Sequence, residues 1–100
     1  NNLISDMRSL EILKETGCPV IFDASHSVQQ PGALPNQSGG ESQFIPVLAR
    51  AATAVGIDGI FIETHPNPEK AHSDGKNSLN INNLSHLLKI IIQINSIIKE

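Results

Sequence analysis

Apolar runs of two kinds alternate with polar stretches along this chain. The first kind is continuous. Residues 19–24 read PVIFDA and residues 57–63 read IDGIFIE. Runs this dense suit strands buried on both faces, as in a parallel sheet. Asn2 to Ser5, apolar at Leu3 and Ile4, reads as the tail of another strand. The second kind is periodic. Asp6 to Thr16 is helix-like, with Leu10, Ile12 and Leu13 as its apolar positions and a stop at Gly17. From about Glu41 to Val55, the residues Phe44, Val47, Leu48, Ala51 and Val55 share one helical face. Gly56 ends that helix. A last helix is predicted from about Ile81 to Ile98, with Ile81, Leu84, Leu87, Leu88, Ile91, Ile94 and Ile98 as its buried stripe. Residues 26–42 and 64–80 read as long polar loops, and loops of that length in a compact domain usually serve a function or move.

The predicted order is βαβαβα, which implies a parallel sheet with right-handed crossovers. Three strands alone would leave both sheet edges exposed. A (β/α)₈ barrel needs about 250 residues. The expected class is therefore α/β. The chain would be the C-terminal three βα units of a TIM (β/α)₈ barrel, with residues 1–100 a partial barrel domain of a longer chain.

Composition narrows the function. The chain has three Phe, no Trp and no Tyr, and a formal net charge of −3. It lacks the basic patch and the stacking aromatics of a nucleic-acid surface. No apolar run reaches the roughly 20 residues of a membrane span. The longest, LLKIIIQINSIIKE, is broken by Lys89, Gln93, Asn95 and Ser96. A single cysteine, Cys18, cannot build a disulfide framework, so a reducing compartment is expected.

Chemistry gathers where the continuous runs end. In a barrel of this type, reactive groups sit at the C-terminal ends of strands. His26 lies just past one strand end and Glu63 on the next. Neighbouring strands are about 4.8 Å apart, so an imidazole and a carboxylate so placed can share one ion. Asp74, in the SDG stretch, is able to reach back to the same point. A histidine with two carboxylates suits a divalent transition metal. A lone histidine after a strand is more often a loop hydrogen-bonder, and Asp74-Gly75 alone is an ordinary turn, so spacing leaves both readings open. The same holds for Ser38-Gly39-Gly40, either a phosphate-holding helix start or a plain turn. Asp23 is placed to orient neighbours by hydrogen bonds. His65, His72 and His86 are weaker candidates. Cys18, at the strand entrance, is at the wrong end for catalysis and reads as structural.

Four stretches carry a resemblance over about residues 2–88. DMRSLEIL, PVIFDASHSVQQPG, SGG with FIPVLARAA, and GIFIETHPNPEKAHSDG together resemble the C-terminal part of the 3-deoxy-D-manno-octulosonate 8-phosphate (Kdo-8-phosphate) synthases. The related 3-deoxy-arabino-heptulosonate 7-phosphate synthases share barrel and chemistry but match these stretches less closely. The resemblance implies a cytoplasmic transferase, usually a homotetramer, of the lipopolysaccharide pathway. It would condense phosphoenolpyruvate with D-arabinose 5-phosphate and water. Carried over by position, His26, Glu63 and Asp74 match metal ligands. His26 also lies at the phosphoenolpyruvate site, and Asp74 can accept a proton from the water. Gln29 falls in a loop over the substrates, residues 27–42 being expected to close on them, and Asn77 lies beside the site.

The resemblance also implies gaps. The fourth ligand of metal-dependent members is an N-terminal cysteine with no counterpart here, and Cys18 does not correspond to it. Ser73 stands where metal-independent members usually carry cysteine, and HSVQQPG has the wording of the metal-dependent class. A divalent cofactor is therefore expected, with zinc, iron, manganese and cobalt all compatible. After SDG, Leu79-Asn80-Ile81 departs from the family's Leu-Pro-Leu-like segment. The basic residues that hold both substrate phosphates belong to the first five strands, so the 100-residue chain alone is expected to be inactive. The alternatives are a heptulosonate-phosphate synthase and a non-catalytic barrel remnant.

Overall fold

The computed structural model describes residues 5–28, 42–67 and 78–100. Helix α1 spans Met7–Leu13 and runs on into a 3₁₀ turn, Lys14–Thr16. Strand β1 spans Ile21–Asp23. Helix α2 spans Ile45–Val55, and strand β2 spans Gly59–Phe61. Two short strands follow, β3 at Thr64–His65 and β4 at Leu79–Asn80. Helix α3, Leu84–Ile98, completes the described residues. β1 pairs parallel with β2, and β3 parallel with β4. Since β2 and β3 lie on one continuous stretch, that stretch stands between β1 and β4.

The expected helices are present, and their starts have local causes. Asp6 caps α1, its carboxylate accepting from the Arg8 backbone N–H at 3.0 Å. The Arg8 guanidinium returns to the same carboxylate at 2.8 Å and holds it below the usual carboxylate range. Pro46, in the first turn of α2, removes only an N–H that no helical carbonyl needs. Asn80 caps the 3₁₀ turn Ile81–Asn83, accepting from Asn82 N–H at 2.9 Å, and α3 continues from it. The departure at Leu79-Asn80-Ile81 thus forms a strand and a cap.

The buried faces differ from those predicted. On α1, Leu10 is buried and Met7 packs beside it, while Ile12 and Leu13 are exposed. Met7 and Leu10 are three residues apart and share a face. On α2 the inward face is Ile45, Ala49, Ala52 and Thr53, with Leu48 and Val55 at its border; Phe44 and Val47 are exposed. The helix is apolar almost all round, so periodicity fits either phase. The small Ala49 and Ala52 are the ones that let α2 lie close against its neighbours. Thr53 tolerates burial because its hydroxyl donates to Ala49 O at 2.7 Å. On α3 only Leu87 is buried, flanked by Leu84 and Ile91; Leu88 and Ile98 are exposed, as is Ile81 in the 3₁₀ turn before the helix.

The sheet also departs from expectation. Val20, Phe22 and Ala24 are buried under the helices, but Ile21 between them is 60% exposed, as is half of Phe61 opposite Asp23. Only one face of β1 is covered here, because a barrel interior is dry only when its ring of strands closes. Residues 64–80 are not wholly a loop, since β3 and β4 lie at their two ends. The predicted loop at 26–42 begins with a 3₁₀ turn, His26–Val28. The predicted strand tail at 2–5 falls, but for Ser5, outside the described residues, as do Ser38-Gly39-Gly40 and His72. Among the described residues no helix is long and apolar enough to cross a membrane.

One turn at the start of β2 is tied from several directions. Lys14 Nζ donates to Val55 O at 2.5 Å and Lys99 Nζ to Ile57 O at 2.6 Å. Asp58 accepts from Val20 N–H through its carboxylate at 2.8 Å and donates its own N–H to Val20 O at 2.9 Å. Gly56 sits at the centre with φ +97°. A Cβ there would lie 3.2 Å from both Ile98 Cγ2 and Lys14 Nζ. Gly56→Ala is expected to lower stability by about 1–2 kcal/mol, the penalty for an L side chain in left-handed backbone. Urea unfolding reads this, and an unchanged midpoint would refute it.

Candidate active site

The β1 end is built around one carboxylate. Asp23 Oδ1 accepts the backbone N–H groups of Ser25 at 3.0 Å and His26 at 2.9 Å. Ser27 Oγ donates to Asp23 O at 2.6 Å. These bonds turn the chain sharply after β1 and bring the His26 ring back over it. Asp23 Oδ2 then meets His26 Nδ1 at 2.7 Å. A carboxylate only accepts, so Nδ1 carries the proton and Nε2 faces outward. The ring also lies against Phe61, with centroids 6.2 Å apart and planes 29° apart.

Glu63 arrives from the neighbouring strand. Its Oε1 stands 3.5 Å from His26 Nε2. In the neutral ring with its proton on Nδ1, Nε2 turns a lone pair toward the Glu63 carboxylate, a pairing that calls for positive charge between them. A direct N–H···O bond prefers about 2.7–3.2 Å. Two ligands that each bind one ion at about 2.1 Å stand roughly 3.0–3.4 Å apart in octahedral or tetrahedral geometry. The observed spacing is nearer the second case, so the pair fits a shared divalent ion. Asp23 on the far nitrogen adds the carboxylate–histidine arrangement that orients metal-binding imidazoles. Its own oxygens are engaged, and among the described residues no third ligand joins to form a closed metal cluster.

Two of the expected site residues, His26 and Glu63, therefore meet. Gln29, Asp74 and Asn77 lie outside the described residues. Asp23 takes the orienting part its position suggested. His65 serves its own turn, with Nδ1 accepting from Asn67 N–H at 2.8 Å. Cys18 is exposed at the opposite end of β1, where its N–H donates to Thr16 Oγ1 at 3.1 Å. The sequence reading missed Ser25. It is fully buried, and its Oγ accepts from Glu63 N–H at 2.7 Å. A small polar residue between Ala24 and His26 was the only signal.

Comparison with known proteins gives the chain its family and its fold. The profile of the DAHP synthetase I family matches residues 1–100. The 2-dehydro-3-deoxyphosphooctonate aldolase of Francisella tularensis subsp. novicida (strain U112) is 57% identical over 99 residues, 99% of this chain and 36% of that protein. Its namesake in Dechloromonas aromatica (strain RCB) is 59% identical over 99 residues, with the same shares. That name is a synonym of Kdo-8-phosphate synthase, as the sequence motifs suggested. The chain spans about a third of these relatives' length. Among solved structures, a DAHP synthase from Thermotoga maritima superposes with TM-score 0.76 at 34% identity, covering 93% of this chain and 24% of that one. A truncated form of 3-deoxy-D-arabino-heptulosonate 7-phosphate synthase from the same organism gives TM-score 0.74 at 35% identity, with 91% and 31% covered. The fold is thus part of an α/β barrel of this family.

Proposed function

The chain belongs to the DAHP synthetase I family, and from that premise we propose that it is the C-terminal portion of a Kdo-8-phosphate synthase. The whole enzyme condenses phosphoenolpyruvate with D-arabinose 5-phosphate and water, giving Kdo 8-phosphate and phosphate. The observation that carries this reading is the His26–Glu63 pair at 3.5 Å, set at the ends of adjacent parallel strands. A remnant without catalysis has no use for an oriented imidazole facing a carboxylate. The relatives at 57% and 59% identity support the octulosonate reaction over the heptulosonate one.

In this reading His26 and Glu63 hold a divalent ion, with Asp74 completing the set from this chain. When bound, the ion supplies a Lewis acid that polarises an oxygen or acidifies water. Zinc, iron, manganese and cobalt all suit such ligands. Asp23 keeps the proton on Nδ1, so that Nε2 offers its lone pair. In the reaction, C3 of phosphoenolpyruvate bonds to the aldehyde carbon, and the aldehyde oxygen takes up a proton. Water adds at C2 and gives its proton to Asp74. Phosphate then leaves C2 with the C–O bonding electrons as the C2 hydroxyl gives up its proton and becomes the keto oxygen, so the two protons of water end on the new sugar hydroxyl and on phosphate. Gln29 and Asn77 contact the substrates. The intact enzyme is a cytoplasmic homotetramer, in keeping with the family resemblance.

The test is phosphate release by the protein expressed from its own gene. Release with arabinose 5-phosphate is expected to exceed that with erythrose 4-phosphate by at least about a hundredfold, the discrimination expected of a site built to hydrogen-bond its substrate. The reverse preference would make it a heptulosonate-phosphate synthase, and no release with either would favour the remnant. The 100-residue piece by itself is expected to release none.

A further inference from the structure

The ladder between β1 and β2 ends just before the chemistry begins. Its last register pair is Asp23 with Phe61, and its last cross-strand bond runs from Ala24 N–H to Phe61 O at 2.9 Å. Beyond that level the two chains part. One turns into the 3₁₀ helix that carries His26. The other changes partners and pairs with β4, where Leu79 N–H donates to Glu63 O at 2.8 Å. Glu63 therefore sits at a fork, with its carbonyl held toward β4. No backbone group of β1 is left to hold its N–H.

Ser25 fills that place. Its Oγ, on a side chain with no exposed surface, accepts the Glu63 N–H at 2.7 Å. The same residue's N–H is held by Asp23 Oδ1 at 3.0 Å, the carboxylate that also orients His26. One short path, Glu63 N–H to Ser25 to Asp23 to His26 Nδ1, thus ties the two facing groups together. We propose that Ser25 is a positioning residue, its hydroxyl standing in for the missing ladder bond and fixing the distance between His26 Nε2 and Glu63 Oε1. This rests on the metal reading of that pair. Without the hydroxyl, the Glu63 N–H loses its only partner on the β1 side, and the carboxylate swings with β4 and away from the imidazole.

The experiment is isothermal titration of Mn²⁺ into the metal-stripped protein expressed from its own gene. The unsubstituted protein, Ser25→Ala and Ser25→Thr are compared. Titration returns stoichiometry and Kd separately, so misfolding lowers the first while misplacement raises the second. Ser25→Ala is expected to raise Kd about tenfold at unchanged stoichiometry, the lower end of the effect of losing a group that orients a ligand. Ser25→Thr keeps the oxygen and is expected to bind within about threefold of the unsubstituted protein. An unchanged Kd in Ser25→Ala, whatever its stoichiometry, overturns the inference. So does a Ser25→Thr protein as weak as Ser25→Ala. No binding by the unsubstituted protein overturns the metal reading itself, and the inference with it.

Discussion

His26→Ala is expected to lower synthase activity by roughly a thousandfold or more, the scale on which a single group aimed at developing charge counts. Asp23, Phe61 and Glu63 all converge on this ring. Asp23 fixes its tautomer at 2.7 Å, Phe61 lies against its face, and Glu63 stands 3.5 Å from its outward nitrogen. Alanine removes the nitrogen donor and leaves both carboxylates without the group between them. Two negative charges then face a gap, and any cation still held there has lost its fixed, neutral ligand. The loss therefore belongs mainly in kcat, with a matching fall in bound metal. Initial rates of phosphate release and metal content by atomic absorption read the two effects. Activity within tenfold of the unsubstituted protein would remove His26 from the site.

The second large effect concerns stability. Phe22→Ala is expected to cost about 3–5 kcal/mol, the range for deleting a buried ring and leaving a cavity. Phe22 is the middle residue of β1, buried in the core with Leu10, Ala49 and Leu87, and paired in register with Ile60. Helices close over it, so the hole cannot fill from solvent and the neighbours relax only in part. β1 also carries the Asp23 turn. Loosening the strand should therefore weaken metal binding as well, although Phe22 touches no ligand. Urea unfolding measures the first effect. A loss below about 1 kcal/mol would mean that β1 is not the centre of the core.

Much of this was legible in the sequence, for local reasons. Gly17 and Gly56 mark chain reversals that need positive φ, and both have it. His26 and Glu63 were exposed as candidates by the abrupt end of two apolar runs. What escaped notice depends on partners distant in sequence. β4 is two residues long in a polar stretch, and its visible anchor is a backbone bond to Glu63 O. No side-chain pattern announces such a strand. Ser25 escaped for the same reason, its partner being a backbone N–H 38 residues away. The phase of α2 was hidden because Phe44 and Val47 are as apolar as Ile45 and Ala49. Only the need for close approach selects the small residues.

The turn at Val55–Asp58 has a consequence for the order of events in folding. Its two lysine ties reach over 41 and 42 residues of chain, from opposite directions. Contacts of such separation form late, since the ends must first be brought together at an entropic cost. Beyond the Asp58–Val20 bonds, the full set of ties at the start of β2 is complete only when both α1 with its following turn and α3 have docked. Once both have docked, unzipping either flank frees a lysine and loosens the start of β2, the strand that leads to Glu63. A turn at the opposite end of β2 from Glu63 thereby contributes to how long the catalytic end stays assembled.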